Sequence, residues 1–152
     1  MKNIINQQDR ADIIARIQKL TPDSKAQWGK MNAGEALCHL NDQLRLALGQ
    51  KSVTGTGNFF TKKILKNLIL WGMPAPKGKA KTHPDLAQEF GGTKPTTFEA
   101  DRKSLIDNIE GLAAKPEDSE WKPNPIFGKL SKKEWGRMAY THIDHHLKQF
   151  NA

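Results

Sequence analysis

Near the C-terminal end, "YTHIDHHLKQF" (Tyr140–Phe150) carries three of the chain's five histidines. At ~100° per residue on a helix, Trp135, Ala139, His142, His146 and Phe150 fall within a sector of about 80°. Met138, Ile143 and Gln149 lie at its edges, and Lys133, Arg137, Asp144 and Lys148 lie opposite. Two imidazoles therefore sit near the middle of the most apolar face. An unpartnered buried polar group costs about 1–3 kcal/mol, so both rings need partners: side chains, water or a metal ion. Their i, i+4 spacing aims two ring nitrogens from adjacent turns at one point, which suits a metal. A hydrogen-bonded core pair and a partly exposed pair fit the same spacing.

A third ligand has to come from another helix. His39 is the one histidine in the other long helical segments, at the margin of its helix's core face beside Ala36, Gln43 and Leu46. Alone it reads as a structural or interfacial histidine; beside His142 and His146 it can complete a three-nitrogen site. Gln149, three residues after His146, can orient a ligand or bound water. Glu35, one turn before His39, has the same reach, but a helix-capping role competes for it. His145 flanks the stripe and suits a rim group or a substrate contact. His83, in "KTHP", reads as surface, and Asp144 as solvated.

The elements that must position these residues are helical. Ile13, Ile14, Ile17 and Leu20 repeat at helical spacing over Gln8–Leu20, and "TPDS" stops that helix. A second helix starts at Asn32, where Asn32 and Glu35 make a capping box, and ends at Gly49. Its core face is Leu37, Leu40, Leu44, Ala47 and Leu48. Phe59–Trp71 reads as a shorter, very apolar helix. A third long helix covers Thr97–Ala113 with Phe98, Leu105, Ile109 and Leu112 inward, and a fourth starts at a Ser131/Glu134 capping box and runs to Phe150. The expected class is all-α, one domain over 1–152. Short connections let helices one and two, and three and four, run antiparallel. The long connection between helices two and three, carrying the short helix, implies that those two run parallel: a four-helix bundle with a long crossover.

Composition narrows the partners. The net charge of +8 and pI of about 9.6 admit an anionic partner, but the one dense basic run, "KGKAK" (Lys77–Lys81), comes with no nucleic-acid-reading motif. Nucleic acid is therefore not an expected partner. No stretch approaches the ~20 apolar residues of a membrane span, and the first residues lack an apolar signal core. A cytoplasmic protein with no membrane partner is expected. The single cysteine, Cys38, excludes an internal disulfide and a cysteine zinc cage. Of the four tryptophans, Trp28, Trp71, Trp121 and Trp135, any can wall a pocket, though aromatics at helical spacing more often fill a core.

"WGKMNAGEALCHL" (Trp28–Leu40), "NPIFGKLSKKEWGRM" (Asn124–Met138) and "YTHIDHHLKQF" together resemble the DinB/YfiT-like metalloenzyme superfamily, in particular a bacterial branch described as a domain of unknown function. The resemblance spans essentially the whole chain, and its HxxxHxxQ motif is its most specific part. It implies the four-helix bundle with the long crossover. It also implies a divalent metal, zinc or nickel, on His39, His142 and His146. Characterised relatives are thiol-dependent S-transferases or isomerases and are often homodimers. This chain departs from the pattern at Asn124, where a histidine is expected.

Three neutral imidazoles leave a 2+ ion uncompensated and at least one coordination position open, the catalytic pattern. Such an ion can activate a bound water or a small thiol; the resemblance, rather than any thiol-binding motif, implies a metal-dependent transfer of a low-molecular-weight thiol to a small electrophile. A metal-dependent hydrolase, a non-catalytic metal- or ligand-binding protein and, last, a basic nucleic-acid-associated protein are the alternatives. The basic loop Lys77, Lys79 and Lys81 can attract carboxylates of a thiol or substrate.

Overall fold

The computed structural model describes residues 1–55, 57–71, 84–87 and 90–152. Among them, regular structure is helical and no β-strand occurs. Helix α1 is Gln7–Lys19, α2 is Ala33–Leu48, α3 is Lys66–Leu70, α4 is Phe98–Ala114 and α5 is Lys132–Gln149. A π-helical turn, Thr61–Leu65, runs into α3, and a 3-10 turn, Pro84–Leu86, lies between α3 and α4. No described helix is long and apolar enough to cross a membrane. His83 and the "KGKAK" run lie outside the described residues, so the readings placed on them have no structural counterpart.

Local chemistry sets the helix ends. The α2 capping box forms in both directions: Glu35 N donates to Asn32 Oδ1 at 2.9 Å, and Asn32 N donates to Glu35 Oε2 at 2.9 Å. The α5 box repeats it, with Ser131 N donating to Glu134 Oε2 at 2.8 Å. Each satisfies amides that a helix start leaves without partners.

Helix directions follow from side-chain bonds. Along α2 and α4 the pairs rise together: Asn41 Nδ2 donates to Ser104 Oγ at 2.8 Å, Asn108 Nδ2 to Asn41 Oδ1 at 2.6 Å, and Lys115 Nζ to the Ala47 carbonyl at 3.2 Å. These two helices are parallel. The chain start and α5 also rise together, through Asn3 Nδ2 on the Lys133 carbonyl at 3.0 Å and Arg16 on Asp144 at 2.8 Å. Helices α1 and α4 run oppositely, with Arg10 on Glu110 and Arg102 on the Leu20 carbonyl. Thus α1 and α5 point one way, α2 and α4 the other. Each of α1 and α2 packs against both α4 and α5. The short-loop pairs, α1 with α2 and α4 with α5, are antiparallel but lie across from one another rather than side by side.

This arrangement surrounds α2. Its core face, with Leu37, Leu40, Leu44 and Ala47, is buried, but so are Asn41 and Asp42. Asp42 is fully buried because the returning crossover clamps it: it accepts from Thr93 N at 2.9 Å, Thr93 Oγ1 at 2.6 Å and Lys51 Nζ at 2.9 Å. A buried carboxylate is tolerated when its oxygens are bonded and paired in this way. Asp144, expected in solvent, is half-buried, because α1 runs along that side of α5 and supplies Arg16.

The N-terminal segment is part of the core. Ile4 is fully buried and its amide donates to the Gly136 carbonyl at 3.3 Å. A Cβ at Gly136 would lie 2.1 Å from Asn3 Oδ1 and 2.6 Å from Ile5 Cγ1. Asn3 cannot swing aside cheaply, since Oδ1 accepts from Ile5 N and Nδ2 donates to the Lys133 carbonyl. Gly136→Ala is therefore expected to destabilise the protein by about 1–2 kcal/mol, the overpacking penalty outweighing alanine's better helix propensity. Chemical denaturation checks this, and an unchanged midpoint would contradict the packing account.

Candidate metal centre

His39 from α2 meets His142 and His146 from α5. One nitrogen of each ring lies within 4.8 Å of the others, and the ring centroids are 4.9, 5.1 and 4.9 Å apart. His39 and His146 are buried and His142 is partly exposed. These three histidines can hold a metal ion; no fourth histidine, cysteine or carboxylate among the described residues joins them.

Each ring has its Nδ1 on an oxygen that can only accept. His39 Nδ1 donates to the Leu86 carbonyl at 3.2 Å. His142 Nδ1 donates to Gln43 Oε1. His146 Nδ1 donates to Gln149 Oε1 at 2.7 Å. The hydrogen of each neutral ring is thereby placed on Nδ1, and Nε2 is left as the lone-pair nitrogen. His39 Nε2 and His142 Nε2 are 3.1 Å apart. In these tautomers that contact brings two acceptors together with no hydrogen between them.

The electrostatics keep the rings neutral. Burial lowers the His39 pKa, opposed by the hydrogen bond to Leu86. Burial, then the neighbouring His146 and His39, hold His142 well below the ordinary imidazole value. Burial and then His39 bring His146 down to about 3. Neutral imidazole is the form that ligates.

Gln149 is held from a loop. Its Nε2 donates to the Trp28 carbonyl, and its backbone carbonyl accepts from Gln27 N at 2.7 Å. Gly29 adopts a left-handed φ of 79°, and a Cβ there would lie 2.7 Å from Gln149 Nε2. Glycine thus meets both demands of the turn, its conformation and its close approach to the amide. His145 sits at the edge of the cluster, 5.3 Å from the His146 ring and 5.7 Å from the Trp28 ring, centroid to centroid.

Of the residues singled out in the sequence, His39, His142, His146 and Gln149 come together, and His145 lies beside them. Glu35 faces the Asn32 amide as the cap. Asn124 holds a turn, its Oδ1 accepting from Ile126 N at 2.9 Å and Phe127 N at 3.0 Å. Of the tryptophans, Trp28 borders the site, Trp135 is core at 1% exposure and Trp71 is 73% exposed. Sequence reasoning missed Gln43, although it lies one turn after His39 on the same face. The Leu86 carbonyl carried no side-chain signal at all.

Depressed imidazole pKa values give a signed pH dependence. Between the folded values and the ordinary 6.5 the unfolded chain binds more protons. Stability of the metal-free protein is therefore full above about pH 6.5 and falls as pH drops toward the folded values. His146→Gln removes one such group, so its melting temperature is expected to fall less steeply than the wild type's between pH 6.5 and pH 4.5. Parallel slopes in thermal melts would contradict the assignment of buried neutral rings.

No curated protein and no solved structure matches the chain. One family model does, over residues 2–152, described as a protein of unknown function (DUF1569). With all but its first residue matched, this all-helical chain with its three converging histidines belongs to the DUF1569 family.

Proposed function

We propose that this protein is a DinB/YfiT-like four-helix metalloenzyme that binds a divalent ion, zinc or nickel, through Nε2 of His39, His142 and His146. The observation that carries the reading is the contact of lone-pair nitrogens. Three Nε2 acceptors aimed at one point repel one another unless a positive charge lies between them, and burial makes a proton a poor candidate for that charge. A divalent ion matches the donor set, with three imidazoles from two rigid helices and tautomers preset by carbonyl oxygens.

An ion held by His39, His142 and His146 would supply Lewis acidity, lowering the pKa of a small thiol or water toward neutral pH. We assign the approach of a small molecule to the side of His142, the one ring of the three that is partly exposed. Gln43, Gln149 and the Leu86 carbonyl hold the rings in register. His145 and Trp28 stand where a substrate would pass.

The chain's own sulfur is not the nucleophile. Cys38 is buried, and burial followed by the nearby Asp101 carboxylate pushes its thiol up to about 12. The resemblance to thiol-dependent DinB/YfiT-like enzymes, and not the state of Cys38, is the ground on which we assign the reactive sulfur to a small-molecule thiol co-substrate. Its lone pair forms the new carbon–sulfur bond to an electrophilic carbon, the bond to the leaving group breaks, and the thiol proton passes to solvent.

Elemental analysis of tag-free protein is expected to find close to one divalent ion per chain, and almost none in His146→Ala. Near-zero metal in both would remove the proposal. Cobalt-substituted protein titrated with small thiols is expected to develop a thiolate-to-cobalt absorption band. A bound ion with no such band and no thiol-dependent turnover would leave a metal-binding protein without transferase chemistry. Gln43→Ala and Gln149→Ala are each expected to weaken metal affinity by about 10–100-fold in chelator competition, as loss of a ring-orienting partner does. Unchanged affinity in both would show that the two amides do not set the ligands.

A further inference from the structure

Acidic residues are absent from one long stretch of the chain. From Gln43 to Pro84 there is no Asp or Glu, while Arg45, Lys51, Lys62, Lys63, Lys66, Lys77, Lys79 and Lys81 all fall there. Elsewhere sixteen basic and sixteen acidic residues cancel, so this stretch accounts for the entire net charge of +8.

Four of the six large apolar side chains exposed among the described residues lie in the same stretch, Met1 and Phe90 being the other two. Phe59 is 75% exposed, Phe60 56%, Ile64 46% and Trp71 73%. They stand on the helical run formed by Phe59, Phe60, the π-helical turn and α3. Spacings of four and seven align Phe60, Ile64 and Trp71 on one side, with Phe59 beside them. The inward side is already occupied: Leu70 is buried, Lys66 pairs with Glu134 at 2.8 Å, and Thr61 Oγ1 donates to the Ile126 carbonyl at 3.1 Å. Lys62 and Lys63 are exposed, and no ion pair among the described residues engages them. The element is thus anchored on one side and presents aromatic rings on the other; Lys63 flanks those rings, while Lys62, one turn before Lys66, lies at the anchored margin with its stem beside Gly128.

We propose that Phe59–Trp71 is a docking element for an anionic lipid surface, with Phe59, Phe60, Ile64 and Trp71 entering the headgroup region and Lys62 and Lys63 pairing with lipid phosphates. An interfacial helix has this composition, Trp and Phe on the apolar side and Lys flanking it. Taking about 200 Å² for each large side chain, the four expose roughly 500 Å². A stable protein interface needs about 800 Å² per partner, whereas a bilayer accepts a small apolar ridge without a complementary shape. The chain's net charge of +8 supplies the long-range attraction. One short element of this kind gives reversible, salt-sensitive binding rather than permanent anchoring.

The test is co-flotation of the full-length protein with phosphatidylcholine vesicles, with and without phosphatidylglycerol. Binding is expected only with phosphatidylglycerol and is expected to fall as salt is raised. Lys62→Gln/Lys63→Gln should weaken partitioning roughly twenty-five-fold, at about five-fold per lysine, and Phe60→Ser/Trp71→Ser at least ten-fold. All four positions are exposed, so circular dichroism and metal content should match wild type. A second measurement uses brominated lipid, which should quench wild-type tryptophan fluorescence and leave Trp71→Phe largely unquenched. No binding to anionic vesicles, or binding indifferent to both double variants, overturns the proposal. It is equally overturned if Phe60→Ser/Trp71→Ser abolishes a lipid-independent dimer in sedimentation velocity while vesicle binding is nil. Retention of single-stranded RNA, lost in the lysine variant, in place of vesicle binding has the same consequence.

Discussion

Three acceptor nitrogens facing one another in a protein interior are an unstable arrangement unless something positive holds them. In this molecule the arrangement is enforced from outside the cluster, because each ring has its other nitrogen on a carbonyl oxygen, from Leu86, Gln43 or Gln149. The outer bonds decide the tautomer, and the tautomer decides which nitrogens converge. Burial then withholds protons by raising the cost of charge on the rings. The three rings, which could hold a metal ion, are therefore positioned by bonds within the protein itself.

The three anchors come from different parts of the chain. Gln43 shares a helix with His39, Gln149 shares one with His146, and the Leu86 carbonyl comes from the crossover. The crossover is tied down close by, at Thr93 on the buried Asp42 and at Thr96 on Asp101. Asp42 and Asp101 thus have a structural reason to be buried acids: they bind the returning chain to α2 and to the start of α4. Parallel packing of α2 and α4 requires a long return, and these bonds hold that return in place next to the centre.

Charge is partitioned along the chain. The part of the chain outside the crossover region and the end of α2 is neutral overall, while the excess positive charge belongs to residues 43–84. A dication on neutral ligands would add to a protein that is already basic, which favours anionic ligands and anionic surfaces alike. The two features are separable, since none of Phe59, Phe60, Ile64 or Trp71 belongs to the histidine cluster.

Much was legible in the linear code. Helical periodicity, the Asn32/Glu35 and Ser131/Glu134 boxes and the spacing of His142 and His146 depend on residues within four positions of one another, so the local helix geometry alone determines them. The histidine of the second helix stood out because it is the one histidine in the long helices other than the last. What the order of residues left undecided concerns groups far apart in the chain. Asp144 turned inward to Arg16 because α1 runs beside α5, and Gly29 met Gln149 because a loop folds back onto the last helix. Glu35 had two local roles open to it and took the cap. The Leu86 carbonyl became a partner of His39 only through the path of the crossover. Side-chain type and short-range spacing are properties of the sequence; which backbone oxygen reaches a given ring is fixed only by packing, since every residue carries the same carbonyl.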